Sequence, residues 1–256
     1  MKVGILDSGI GGLTVLSLAA SRMKNTEFIY YADLDNVPYG EKTVEEIKLY
    51  TENALRFLID KGAKAVVFAC NTATSVAIAD MRKKYSLPII GMEPALKRAA
   101  DLYKEGRILV TATPVTIKGE KLHSLAQRID VLSRTDFVAL PVLVHFAERG
   151  DFSSDGVKDY IRESFAPFEM EKFSSVVLGC THFVYYKKLF KELYPSLSIV
   201  DGNEGTVNQL IRRIEDEIPH FIDDAEPSAE FFISGRKASF DEIKKYRELI
   251  NRCAEE

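Results

Sequence analysis

The sequence predicts an α/β fold with mainly parallel sheets, arranged as two pseudo-symmetric halves, and two observations carry that prediction. Short apolar, β-branched runs recur with amphipathic stretches between them, the pattern of parallel strands joined by crossover helices. Two of the runs also match each other: Ala65-Val66-Val67-Phe68-Ala69-Cys70-Asn71-Thr72 and Ser175-Val176-Val177-Leu178-Gly179-Cys180-Thr181-His182. Each is a buried-type strand ending in a small residue, a cysteine and two polar residues that open a helix.

Taken in order, the expected strands are Lys2 to Asp7, Glu27 to Ala32, Lys64 to Ala69, Leu87 to Gly91, Arg107 to Thr111, Phe137 to Pro141, Ser175 to Gly179, Ser198 to Asp201 and Glu230 to Ile233. Most are apolar nearly throughout, as strands covered on both faces should be. Helical periodicity is clearest over Val44 to Asp60, where Ile47, Tyr50, Ala54, Phe57 and Leu58 repeat on one side, and over Asp241 to Arg252. No low-complexity linker separates the halves, so the boundaries fall in ordered loops near Glu93-Pro94 and between Gly202 and Gly205. Residues 1–93 with 206–256 are expected to form one α/β domain, and 94–205 the other.

At 256 residues and 46% hydrophobic, the chain can bury one sizeable core or two modest ones. A net charge of −4, with lysines and arginines spread among acids, offers no basic field for nucleic acid. The first residues, Met1-Lys2-Val3-Gly4-Ile5-Leu6-Asp7, turn polar too soon for a signal peptide, and no apolar stretch approaches bilayer length, so no membrane partner and a cytoplasmic location are expected. Three widely spaced cysteines, with no CxxC or HxxxH, suggest neither a disulfide framework nor a metal site.

Open parallel sheets bind ligands beyond the carboxyl ends of their strands, which is where Cys70 and Cys180 are expected. The unsatisfied amides of a helix start favour a thiolate there. A single cysteine in this position is as readily a small buried hydrophobe. Two in the same context point instead to a cofactor-free enzyme whose thiols exchange protons with one small substrate. Cys253, near the end of the last helix and without polar company, is structural or exposed. Asp7 and His182 are the candidate assistants of the two thiols.

The stretch Asp7-Ser8-Gly9-Ile10-Gly11-Gly12 follows the first strand, where glycines let backbone amides approach an anion. Its GxGG pattern and the charge of Asp7 argue against a dinucleotide. A small amino acid suits it better, with its carboxylate on the amides and its ammonium near Asp7; a capped strand-to-helix turn is the alternative. Val37-Pro38-Tyr39-Gly40 has turn chemistry and an aromatic hydroxyl, as a surface loop also would. Glu148 closes a short helical pattern.

These motifs carry a resemblance. Asp7-Ser8-Gly9-Ile10-Gly11-Gly12-Leu13-Thr14-Val15, Val37-Pro38-Tyr39-Gly40, Ala69-Cys70-Asn71-Thr72-Ala73, Glu93-Pro94 and Gly179-Cys180-Thr181-His182 occur in the order and at the spacing of the glutamate racemases of the aspartate/glutamate racemase superfamily, which the whole chain resembles. The resemblance implies interconversion of L- and D-glutamate without pyridoxal phosphate or any other cofactor, supplying D-glutamate for peptidoglycan. It implies that Cys70 and Cys180 are catalytic, assisted by Asp7 and His182, in a cleft between the two domains of a homodimer subunit. It further implies substrate contacts by Asp7, Ser8, Tyr39, Gly40, Asn71, Thr72, Thr181 and His182, with Pro38, Thr116 and Glu148 close by. The chain departs from the common pattern at Ala112, Val115, His145 and Phe183-Val184-Tyr185-Tyr186, positions beside the named contacts. Three alternatives stay open: racemisation of aspartate or a related isomerisation on the same two-cysteine fold, a thiol redox protein, and a non-catalytic amino-acid-binding module.

Overall fold

In the computed structural model, which describes residues 1–92, 95–217 and 225–254, every expected strand is present and one is added. The chain divides into two units, Met1–Glu93 with Asn203–Glu256, and Pro94–Gly202. Glu93-Pro94, the expected boundary motif, lies outside the described residues.

The first unit begins β1 (Lys2–Asp7), α1 (Leu13–Arg22), β2 (Glu27–Ala32), α2 (Val44–Asp60), β3 (Ala65–Phe68), α3 (Asn71–Lys84) and β4 (Ile89–Gly91). The second unit contains α4 (Ala95–Leu102), β5 (Arg107–Ala112), α5 (Pro114–Lys118), α6 (Glu120–Arg128), β6 (Thr135–Ala139), α7 (Pro141–Glu148), α8 (Asp155–Phe165), β7 (Phe173–Leu178), α9 (Lys187–Leu193) and β8 (Ser198–Asp201). The chain then returns to the first unit as α10 (Asn203–Glu217), β9 (Ser228–Ile233), β10 (Arg236–Lys237) and α11 (Phe240–Ala254). Asn203, Glu204 and Gly205, expected in the second half, form the first turn of α10 and belong to the first unit.

Six strands form the first sheet, in the order β10-β9-β2-β1-β3-β4, parallel except for the terminal β10, which pairs antiparallel with β9. The central β1 is apolar from Val3 to Leu6 because helices cover both its faces. Its register pairs Ile5 with Tyr30 and Val67, and Leu6 with Phe68. Asp7 and Cys70 therefore leave neighbouring strands at one carboxyl edge, and Asp33, whose amide donates to Asp7 O at 3.0 Å, leaves the next. In α2 a capping box fixes the start: Thr43 Oγ1 accepts from Glu46 N while Glu46 accepts from Thr43 N. Its buried face is Ile47, Thr51, Ala54, Leu55 and Leu58; Tyr50 and Phe57, expected on that face, flank it half-buried. Phe57 packs there on Tyr31 and Phe232.

The second sheet is fully parallel, in the order β6-β5-β7-β8. Ile108, Val110, Val177 and Val200 on this sheet pack with Leu96 and Ala99 of α4 and Leu125 of α6. Strand β6 starts and stops two residues before the expected span, since Pro141 opens α7, where its fixed φ and missing N–H suit the first helical position.

Candidate active site

In the first unit the apolar strand β3 delivers Ala69 and then Cys70 to the start of α3. Cys70 is the N-cap residue, and its sulfur accepts a hydrogen bond from Ala73 N at 3.5 Å. Cys70 Sγ donates to Ser8 Oγ at 3.7 Å. Both residues are buried, at 5% and 4% exposure, so the thiol faces a backbone amide and a hydroxyl.

The loop after β1 is held equally closely. Asp7 is wholly buried, and its Oδ1 accepts from Gly9 N at 2.9 Å. The Tyr30 hydroxyl, from the adjacent β2, donates to Gly9 O at 2.6 Å. Gly12 packs so near that a Cβ there would lie 2.6 Å from Asp7 Cβ, which leaves glycine as the residue that fits. Thr72 is buried in the first turn of α3, and Asn71 Oδ1 is buried with no hydrogen-bond partner among the described residues.

Tyr39 and Gly40, both buried, lie in a single 3-10 turn, Tyr39–Glu41, which follows a cis Val37-Pro38 bond. Pro38 itself is half-buried. The Tyr39 hydroxyl donates to Asp33 Oδ2 at 2.6 Å. Burial, reinforced by the Asp33 charge and this hydrogen bond, pushes the phenol far above its ordinary range, so Tyr39 is a neutral donor. Asn36 Nδ2 donates to both Asp33 oxygens at 3.1 Å, and the Ser234 hydroxyl donates to Oδ1 at 3.3 Å. Asp33 was not expected in the site; its signal is a carboxylate one residue past an apolar strand, repeating Leu6-Asp7 in Tyr31-Ala32-Asp33.

The second unit treats its cysteine differently. Gly179 N donates to Thr111 O at 2.7 Å, and a Cβ at Gly179 would meet that same carbonyl at 2.7 Å. Cys180 follows in extended backbone and caps a six-residue 3-10 helix, Thr181–Tyr186, with no side-chain capping hydrogen bond. The α-helix expected to open at Thr181 begins only with Lys187. β-branched and aromatic residues, Phe183-Val184-Tyr185-Tyr186, occupy the intervening turns, all buried, and the Tyr186 hydroxyl donates to Leu143 O and Asp151 O at 3.0 and 3.1 Å.

The Cys180 sulfur is instead met by a side chain. His182 Nδ1 lies 3.8 Å from Sγ, and its Nε2 lies 2.6 Å from Glu148 Oε1 at the end of α7. Burial alone would lower the His182 pKa; hydrogen bonds to Cys180 and Glu148, together with their charges, raise it well above 6.5. When protonated, the ring donates from Nε2 to the carboxylate and from Nδ1 to the sulfur. Thr181 is buried beside them, while Thr116 lies on α5 and pairs its hydroxyl with that of Thr113 at 3.0 Å.

The expected residues thus assemble into two groups: Asp7, Ser8, Cys70, Asn71 and Thr72 with Tyr39 and Gly40 at one sheet edge, and Cys180, Thr181, His182 and Glu148 at the other. Cys253 lies partly exposed on α11. Among the described residues no cluster of three or more His, Cys, Asp or Glu is placed to hold a metal ion, and no helix is long and apolar enough to cross a membrane.

A family model described as Asp/Glu/Hydantoin racemase matches residues 14–210, a span that includes both cysteines. The chain is 53% identical over 221 residues to the glutamate racemase of Campylobacter curvus, covering 84% of this chain and 83% of that one. It is 48% identical over 261 residues to the glutamate racemase of Lachnospira eligens, covering 98% of each. Its fold is similar to the crystal structure of Escherichia coli glutamate racemase in complex with L-glutamate and the activator UDP-MurNAc-ala, with a TM-score of 0.81, 26% identity and coverage of 98% of this chain and 94% of that one.

Proposed function

The chain belongs to the Asp/Glu/hydantoin racemase family, and we propose that it interconverts L- and D-glutamate with Cys70 and Cys180 as its two acid–base groups. The observation that carries this proposal is the repeated strand-end cysteine, one in each unit, each with its own polar company. Racemisation requires a proton to leave one face of a carbon and another to arrive on the opposite face, which two bases accomplish and a single fixed base does not. One thiol starts as thiolate and the other as thiol, and each turnover exchanges their states. The choice of glutamate over aspartate is supported by the relatives at 53% and 48% identity, both glutamate racemases.

The α-proton is a weak acid, so the site must favour carbanion character with donors fixed before the reaction begins. The loop amides of Gly11 and Gly12 and the Thr72 and Thr181 hydroxyls supply donors for the carboxylate, while Ser8 accepts from Cys70. Asp7 and the unpartnered Asn71 Oδ1 supply acceptors for the ammonium. Tyr39, kept neutral and oriented by Asp33, adds a phenol with Gly40 beside it. His182 and Glu148 form the proton relay behind Cys180. By the family resemblance the enzyme works in the cytoplasm as a homodimer and feeds peptidoglycan synthesis.

The test is circular dichroism of L-glutamate incubated with purified protein and no added cofactor, in deuterium oxide. Loss of optical activity with solvent deuterium entering the α-position of the product first is the expected result. Product that keeps its original α-hydrogen overturns the two-base scheme, and racemisation of L-aspartate in place of L-glutamate overturns the substrate.

A further inference from the structure

We infer that Tyr30 is a positioning residue for the Cys70 half-reaction, holding the loop that carries Asp7 and Ser8 through its hydroxyl. The inference rests on the racemase activity proposed above. Tyr30 is in β2, not in the loop, and is wholly buried. Its ring sits in an aromatic cluster, 6.2 Å from Phe231 and 6.0 Å edge-on to Tyr246, so its position is set by the core. From that fixed base the hydroxyl donates to Gly9 O at 2.6 Å. Gly9 in turn donates its N–H to Asp7 Oδ1. The same hydroxyl would lie 3.1 Å from a Cβ on Gly12, so it fills the bend of the loop that the glycine leaves open.

The consequence reaches the thiol. Ser8 lies between Asp7 and Gly9, and its Oγ accepts from Cys70 Sγ. A loop released from Tyr30 withdraws an acceptor from the Cys70 thiol and uncovers the sulfur, and both changes favour its alkylation. The two buried hydroxyls of the cluster separate the tether from packing, because Tyr30 reaches the loop and Tyr246 serves the core from α11.

The expected outcome for Tyr30→Phe is a fall in kcat/KM of about tenfold with the fold retained. A racemase has an equilibrium constant of one, so kcat/KM must fall equally in both directions and cannot report which half-reaction was damaged. The α-deuterium isotope effect can. It should rise for the enantiomer whose proton Cys70 removes and fall for the other, since only the Cys70 step becomes harder. Independently of turnover, iodoacetamide should label Cys70 about threefold faster in Tyr30→Phe, by mass spectrometry, while the labelling of Cys180 stays unchanged. Tyr246→Phe should show none of these changes. Equal changes in the two variants, or Tyr30→Phe with unaltered Cys70 labelling and symmetric isotope effects, overturn the inference. Faster Cys70 labelling in a protein that does not racemise glutamate leaves the tether standing and removes the proposed activity instead.

Discussion

Cys70 and Cys180 end equivalent strands, yet the Cys70 sulfur is met by a backbone amide and a hydroxyl, and the Cys180 sulfur by an imidazole. At Cys70 the chain continues as Asn71-Thr72-Ala73, which enters a 14-residue α-helix and turns an amide onto the sulfur. At Cys180 it continues into β-branched and aromatic residues, which form a buried 3-10 helix and leave the sulfur to an imidazole backed by a carboxylate. Similar local sequences therefore produce two kinds of electrostatic support. An amide dipole does not titrate, whereas an imidazole does. The support of Cys180 should therefore change with pH where the amide on Cys70 does not.

The comparison breaks first at the sulfurs themselves. Cys70→Ser and Cys180→Ser should each reduce racemisation by about 10²–10⁴-fold, the contribution of a positioned acid or base. Circular dichroism in both directions measures it. Near-normal turnover in either single variant would mean that one half suffices.

The next effect tests the asymmetry. Glu148→Gln removes the charge that keeps His182 protonated and should lower kcat about tenfold to a hundredfold, measured by the same assay. It should also change stability with a definite sign. The folded pKa of His182 lies above the ordinary 6.5, so its stabilisation is complete below about that pH and is lost as pH rises through the folded value. The thermal midpoint of the wild type should therefore fall toward that of Glu148→Gln as pH rises above neutrality. A gap between them that widens with pH would show that the ring is held neutral.

How much of this was legible in the sequence depends on the range of the interactions. Strands β1, β2 and β8 and helix α2 are where the apolar pattern puts them, because burial on both faces or one stripe writes itself into consecutive residues. The strand-end placement of Cys70 and Cys180 was legible for the same reason. The 3-10 helix after Cys180 was not, since its cause is tertiary: Tyr186 is anchored to carbonyls at Leu143 and Asp151, more than thirty residues earlier in the chain. Asp33 was missed because its partners, Tyr39 and Ser234, are assembled by the turn after β2 and the hairpin β9-β10. β10 was missed as well, at two residues too short to show an alternation.

Gly91, at the end of β4, and Gly179, beside Cys180, also differ in what limits them. A methyl at Gly91 would meet Ile78 Cδ1 and Thr74 Cγ2 of α3, at 2.4 and 2.8 Å, which are side-chain ends. One at Gly179 would meet the Thr111 carbonyl at 2.7 Å, which is sheet backbone. Overpacking costs about 1–3 kcal/mol, and the backbone clash belongs at the upper end because a strand cannot yield as a side chain can. Thermal unfolding should rank Gly179→Ala below Gly91→Ala. The reverse order would mean that α3, and with it Cys70, is the less adaptable of the two supports.

The smallest effect concerns Ser8. Its hydroxyl accepts from the Cys70 thiol at 3.7 Å, and a thiol is a weak donor, so Ser8→Ala should lower kcat/KM only about threefold. Its value lies in combination with Glu148→Gln. Ser8 belongs to the company of Cys70 and Glu148 to that of Cys180, and if each group serves only its own sulfur, the two losses multiply in the double variant. A double variant that is appreciably more active than this product would show a shared role. In the proposed two-base scheme the thiols act on one carbon in succession, so stabilising the intermediate from either half would then partly compensate for the other, and the division into an amide-and-hydroxyl half and an imidazole half would describe the resting protein but not the reacting one.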